Sequence, residues 1–289
     1  MDNDAHSGMF RISEKNFYKY KLLFFKILIL QKKNTLKITF LGTGTSQGVP
    51  VIGSNHPVSL SKDKKDSRLR TSMLISWENT NLVIDCGPDF RQQMLTNKVN
   101  HLEAILFTHE HADHTAGIDD IRPYVYQQGD MPIYALPRVI SELKKRFEYI
   151  FRTENRYLGA PSVIVNEVEC ESFDLFGKKV IPIQVMHGEL PILGYRIEDM
   201  AYITDAKTIP ESEFVKLKNL DVLVLNCLRE QVHPTHLNLE EALDIVEKVR
   251  PRRTFFTHIS QSFGFHEEVS KRLPSNVFLA YDNLVIDIP

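Results

Sequence analysis

Cysteine is scarce in this chain: Cys86, Cys170 and Cys227 are the only three in 289 residues, and no two form a Cys-x-x-Cys pair. A disulfide framework is thereby excluded, and a reducing compartment, with the cytoplasm as the expected location, fits the rest. An excess of charge is also missing. Thirty-five Lys and Arg oppose 37 Asp and Glu, a formal net charge of −2. No bulk attraction to nucleic acid follows, and no long basic, aromatic-interleaved arm supplies one locally. Long apolar runs are absent too. Residues 20–30 are apolar but interrupted by Lys26, well short of the roughly 20 residues a membrane helix needs. The run ends in Gln31-Lys32-Lys33-Asn34 without a small-residue cleavage site, so it does not read as a signal peptide. Residues 1–35 are expected to be a non-core N-terminal extension. A peripheral amphipathic anchor is the alternative, and no membrane span is expected. There is no internal repeat or low-complexity tract.

What is present is apolar mass and histidine. With 43% hydrophobic and 25% charged residues, the chain can bury a core as one large domain. The apolar run Ala104-Ile105-Leu106-Phe107 leads directly into Thr108-His109-Glu110-His111-Ala112-Asp113-His114. Three imidazoles and a carboxylate at the end of a buried strand suit zinc, manganese or iron. Three more short β-prone runs end in the same way, at His187, Asp205 and His258. Each alone is more often a cap or turn residue than a ligand. As a set they complete two coordination spheres.

The β pattern opens at Leu36-Lys37-Ile38-Thr39-Phe40-Leu41 and runs into Gly42-Thr43-Gly44-Thr45-Ser46-Gln47-Gly48-Val49-Pro50. The glycine spacing fits neither a dinucleotide nor a phosphate-loop fingerprint, so a turn near the metals is the better reading. Residues 72–77 and 81–85 read as paired strands, and Pro88 as the opening of a helix to about Thr96. Residues 115–128 read as partly helical with a bend at Pro123. Pro137 starts a helix carrying Val139, Ile140, Leu143, Phe147 and Ile150 on one face, and 137–176 reads as a lid or insertion. Asn238 caps a last long helix with Leu239, Ala242, Leu243, Val246 and Val249 along one side, ended by Pro251.

The order His109, His111, Asp113, His114, His187, Asp205, His258 resembles the signature of the metallo-β-lactamase superfamily. The resemblance covers residues 36–289. It implies an α/β fold, a four-layer αββα sandwich, with two divalent metal ions, zinc or manganese, at one edge. By it, His109, His111 and His187 hold one ion, Asp113, His114 and His258 the other, and Asp205 bridges them. Within the superfamily, residues 41–50, Asp85-Cys86-Gly87-Pro88-Asp89-Phe90-Arg91, Gly117-Ile118-Asp119-Asp120-Ile121-Arg122-Pro123 and His233-Pro234-Thr235-His236 resemble the phosphoribosyl 1,2-cyclic phosphate phosphodiesterase group. One departure stands out. Where that group usually carries three cysteines for a structural zinc, this chain has Ser54, His56 and Ser59, and hydroxyls are poor zinc ligands beside thiolates.

Two divalent cations about 3.5–4 Å apart lower the pKa of a shared water and clamp the oxygens of an in-line displacement at phosphorus. The expected activity is hydrolysis of a small cyclic phosphodiester, a phosphoribosyl cyclic phosphate or related cyclic nucleotide. Asp113 is both a ligand and placed to orient the nucleophile. By the resemblance, His236 is the non-ligand histidine that protonates the leaving oxygen, with His233 the weaker alternative. Arg70, Arg91 and Arg122 are candidate phosphate contacts or structural ion-pair partners. Asp119 and Asp120 are helix-start acids or partners of ligand histidines. Lactone or thioester hydrolysis on the same metals is an alternative, as is an RNA-processing or RNA-binding role, which the near-neutral charge disfavours. A homodimer is compatible with the sequence.

Overall fold

The computed structural model describes residues 35–289 of the chain; apart from Thr35, the expected N-terminal extension lies outside the described residues. In chain order, β1 (Leu36–Gly42), β2 (Ser72–Trp77) and β3 (Thr80–Ile84) lead to α1 (Phe90–Asn97), β4 (Ala104–Leu106), the short α2 (Ala112–Thr115), α3 (Arg122–Gln128) and β5 (Met131–Ala135). Then come α4 (Pro137–Arg146), α5 (Glu148–Phe151), β6 (Val163–Glu167), β7 (Phe173–Leu175), β8 (Lys178–His187), β9 (Leu190–Ile197), β10 (Met200–Ile203) and β11 (Val222–Asn226). The chain finishes with α6 (Leu239–Val249), β12 (Arg253–Thr257), α7 (His266–Ser270), β13 (Val277–Leu279) and β14 (Val285–Ile288).

The strands form two seven-stranded sheets, in the orders β14-β1-β2-β3-β4-β5-β6 and β13-β12-β11-β10-β9-β8-β7. Period-two patterning explains why both sheets are covered on both faces. In β3 and β4, Leu82, Ile84, Ala104 and Leu106 point between the sheets while Val83 and Ile105 point outward under helices. In β11, Val222 and Val224 face inward and Leu223 and Leu225 face the layer beneath α6. A strand buried on both sides reads as a continuous apolar run, as these do. The result is the expected four-layer α/β sandwich. Each fully buried aliphatic side chain stabilises it by roughly 1.5–3 kcal/mol.

The long helix α6 starts where expected. Asn238 accepts from the Glu241 N–H while Glu241 accepts from the Asn238 N–H, a capping box, and Ala242 and Val246 are buried beneath it. Three boundaries differ from the sequence reading. Helix α1 begins at Phe90 rather than Pro88, because Gly87-Pro88-Asp89 forms a turn closed by Phe90 N–H to Gly87 O (3.0 Å) and the Asp89 carboxylate binds Arg70 instead of capping. Pro123 sits in the first turn of α3, after a separate 3₁₀ turn at Ile118–Ile121, so nothing is bent by it. The helix from Pro137 breaks at Phe147 (φ −124°, ψ 41°) and restarts as α5, which still buries Ile150. The 137–176 stretch supplies β6 to one sheet and β7 to the other.

Strands β3 to β6 are mutually parallel, as are β10 to β13. Their carboxyl ends therefore open at one edge of each sheet, the usual place for a ligand in such folds.

Candidate metal centre

All seven expected ligands meet at this edge. His109 and Asp205 follow β4 and β10 by a few residues, His258 directly follows β12, and His187 is the last residue of β8. The donor atoms fall into overlapping groups: His109, His111 and His187; Asp113, His114, Asp205 and His258; and His187, Asp205 and His236, each within 4.8 Å. His114 Nε2 lies 3.2 Å from Asp113 Oδ2 and 3.4 Å from Asp205 Oδ1, and His258 Nε2 lies 3.3 Å from Asp205 Oδ2. Asp205 thus touches the second sphere and the His187 group together. Asp85, Asp205 and His258 all adopt positive φ (64°, 57° and 57°), a strained geometry for residues with a Cβ that tends to gather at functional sites.

Hydrogen bonds behind the ligands set which ring nitrogen faces inward. His187 Nδ1 lies 2.8 Å from Asp205 O and 2.9 Å from Thr235 O, so it must carry the proton and donate. His114 Nδ1 is 2.7 Å from the fully buried Asp85 carboxylate and donates likewise. Thr108 Oγ1 donates to Asp85 Oδ2 (2.8 Å), which leaves its lone pair to accept from His109 Nδ1 (3.0 Å). In all three the Nε2 lone pair is left for the centre, the role such partners play around a metal. Correspondingly, the Nε2 atoms of His109, His114 and His258 are buried without a hydrogen-bond partner. Orphaned acceptors beside two carboxylates would cost stability unless a cation fills the space. The residues present fit divalent metal ions.

The electrostatics point the same way. Burial raises the carboxyls of Asp113 and Asp205, but the facing histidines outweigh it and hold both below the usual carboxylate range. Burial lowers His114, yet Asp205, Asp113 and Asp85 together push it well above the usual imidazole value. Positive charge is what this cluster stabilises.

His236 is not an expected ligand, although its donor atom groups with those of His187 and Asp205. Its Nε2 is 3.1 Å from Asp205 Oδ2 and its Nδ1 is 3.0 Å from Thr235 Oγ1. The Nε2–H donates to the carboxylate, which leaves Nδ1 to accept from the Thr235 hydroxyl. It stacks on His258 at 4.9 Å and 13°. Burial lowers it to about 4 against the raising contact with Asp205, leaving it neutral with that single N–H. His233 lies behind it, Nδ1 to Nδ1 3.2 Å.

Asp85 is the residue the sequence reading missed as part of the site. It accepts from Thr108 N–H (2.8 Å), Thr108 Oγ1 and His114 Nδ1. The available signal was an acid closing the apolar strand Leu82-Val83-Ile84, the same pattern that marks the ligands. Asp119 and Asp120 do not take that part: Asp119 is held by Arg122 and Tyr149. Two glycines press the ligand loop into place. A Cβ on Gly87 would sit 2.0 Å from Asp113 O, and one on Gly117 would sit 2.0 Å from Gly87 O.

The candidate substrate arginines are scattered. Arg70 pairs with Asp89 (3.0 Å) and donates to Ser46 O (3.2 Å). Arg122 pairs with Asp119, and Arg91 lines a cleft outside the centre. In the Gly-rich loop, the Ser54 and Ser59 hydroxyls both donate to Gln261 Oε1 (2.8 and 2.6 Å), while His56 Nδ1 accepts from Val58 N–H. Hydrogen bonds close this loop where thiolates would hold zinc.

Comparison with known proteins agrees with this geometry. The β-lactamase superfamily domain profile matches residues 80–259. An octanoyltransferase of Porphyromonas gingivalis is 38% identical over 252 residues, covering 86% of this chain and 51% of its own length, so the chain spans about half of that relative. A ribonuclease Z of Clostridium kluyveri is 30% identical over 117 residues, 38% of this chain and 33% of that protein. The crystal structure of a diphosphatase of the PhnP family superposes with a TM-score of 0.83 at 40% identity, covering 88% of this chain and 97% of that one.

Proposed function

The chain belongs to the PhnP family of the metallo-β-lactamase superfamily and is a metal-dependent hydrolase, and from that premise we propose that it opens a small cyclic phosphodiester using two divalent ions, zinc or manganese. The observation that carries this reading is the clustering of donor atoms: His109, His111 and His187 form one group and Asp113, His114, Asp205 and His258 another, each within 4.8 Å, with His236 Nε2 3.1 Å from Asp205 Oδ2 beside them. A ligand set and an adjacent proton donor are what hydrolysis of an ester with a poor leaving group requires.

When bound, the ions supply Lewis acidity at phosphorus and a lowered pKa for the attacking water. His109, His111 and His187 would hold one, Asp113, His114 and His258 the other, with Asp205 between them. Asp113 accepts from the attacking water and orients it. His236 would stabilise the negative charge on the departing ribose oxygen through its Nε2–H, which is held beside Asp205. Asp85 keeps His114 in its working tautomer through a 2.7 Å hydrogen bond. A small substrate rather than a long polynucleotide suits the net charge of −2. The similarity to a diphosphatase supports chemistry at phosphorus.

A second reading, hydrolysis of an acyl thioester or lactone on the same metals, is favoured by one observation, the half-length match to the octanoyltransferase. A panel of ribose 1,2-cyclic phosphate 5-phosphate, a nucleoside diphosphate ester, an octanoyl thioester, a lactone and a tRNA precursor separates the readings. The cyclic phosphate should be turned over fastest by metal-loaded protein. Preference for the thioester or the tRNA precursor would replace the proposal. In the same assay, His236→Ala should keep its metal and lose roughly 10²- to 10⁴-fold in turnover.

A further inference from the structure

Outside the metal centre, α1 and the Ile118–Gln128 segment leave a cleft of about 550 Å³ between them. Arg91, Met94, Leu95 and Lys98 line one wall, spaced as a single helical face. Asp120, Pro123, Tyr124 and Gln127 line the other with the same spacing. Phe90 and Tyr124 meet edge to face between the two elements, ring centroids 6.4 Å apart, and the cleft opens beside that contact. The floor is closed by Tyr124 Oη donating to Val99 O (2.6 Å). Leu95, an apolar residue on the cleft face, remains 58% exposed.

Charge is distributed unevenly along the cleft. At one end Arg91 stands near Asp120; burial and Asp119 raise that carboxyl, and the Arg91 charge offsets part of the rise. At the other end the Lys98 ammonium makes no ion pair or hydrogen bond among the described residues, its backbone N–H alone being used to cap α1, and its neighbours on the cleft wall, Asn100 and Gln127, are neutral amides. An unopposed ammonium at the end of an apolar trough is complementary to a carboxylate carrying an apolar body.

We propose that this cleft is a second binding site, for a small monocarboxylate with an aliphatic or aromatic tail. The carboxylate sits at Lys98 and the tail lies along Leu95, Met94, Pro123 and Tyr124. The site adjoins the ligand loop: Asp120 N–H donates to Gly117 O (2.9 Å), and Gly117 N–H donates to Cys86 O (2.9 Å), next to Asp85. An occupant therefore braces the outer helices behind the residues that hold the metals.

Octanoate is a suitable probe, titrated into the metal-loaded full chain by calorimetry, with octan-1-ol as the uncharged control. We expect saturable binding of one octanoate per chain, about tenfold or more tighter than the alcohol, as one charge-assisted contact provides. Lys98 caps α1 in the left-handed conformation (φ 53°), which Asn tolerates, so Lys98→Asn should fold normally and weaken octanoate about tenfold while leaving octan-1-ol unchanged. Leu95→Ser, at an exposed position, should weaken both. Equal affinity for acid and alcohol, undiminished octanoate binding in Lys98→Asn, or no binding at millimolar octanoate would each overturn the proposal.

Discussion

Replacing Asp85 by Asn tests the tautomer argument without touching a metal ligand. The Asp85 side chain is fully buried, and Oδ1 accepts from the Thr108 N–H at 2.8 Å. An asparagine must keep its carbonyl oxygen there, because that N–H cannot otherwise be satisfied. Its NH₂ then faces His114 Nδ1, 2.7 Å away in the native protein. Two donors cannot share that distance, so His114 must move its proton to Nε2, the atom that faces Asp113 and Asp205. A protonated Nε2 cannot bind metal. Loss of such an orienting partner typically costs 10- to 100-fold in metal affinity, or about 1.4–2.7 kcal/mol. Folding of the metal-free protein should change little, since the lost charge-assisted bond is offset by no longer burying a carboxylate, whose ionisation burial already opposes. Zinc affinity measured by competition with a chromophoric chelator, alongside thermal melts of the stripped protein, separates the two effects. Native metal affinity in Asp85→Asn would refute the assigned hydrogen-bond directions.

Gly117→Ala places a Cβ 2.0 Å from a backbone oxygen; it should cost roughly 1–3 kcal/mol or more in urea melts and lower metal occupancy as well. Gln261→Ala removes the acceptor shared by Ser54 and Ser59, and limited proteolysis should then cut within 50–60 faster, at a stability cost of about 1 kcal/mol. Burial and the Arg68 charge hold His266 near 4, below its ordinary 6.5; its contribution to stability is present above 6.5 and lost as pH falls toward 4, so the stability of His266→Gln relative to wild type should rise through that window in chemical denaturation. Asp282 runs opposite. Burial raises it to about 6 from 3.8, so its stabilising contribution is complete below 3.8 and lost as pH rises through 6, and Asp282→Asn should gain on wild type over that interval.

The gathering of His109, His187, Asp205 and His258 at one edge was legible because each is a polar residue at or just after the end of a largely apolar strand, and parallel strands bring such ends together whatever their sequence separation. The sandwich was legible for a related reason, since strands such as 222–226 are apolar throughout and must be covered on both faces. Asp85 was harder. Its role depends on β3 lying beside β4, which carries it to a residue 23 positions away. Tautomers depend on carbonyls such as Thr235 O, 48 positions from His187, that carry no side-chain signature. Helix starts went astray where a side chain found a distant partner, as when Asp89 bound Arg70 instead of capping α1. The cleft could not be foreseen, because it arises from a gap between two helical faces that each look ordinary alone.

The most direct test of the account is the rate of cyclic phosphate hydrolysis by metal-stripped protein as zinc or manganese is added back. The account predicts negligible turnover without metal, a rise to a plateau at two ions per chain, and return to baseline on chelation. Full turnover in the stripped protein, or a fully loaded protein that leaves the phosphodiester intact, would contradict it.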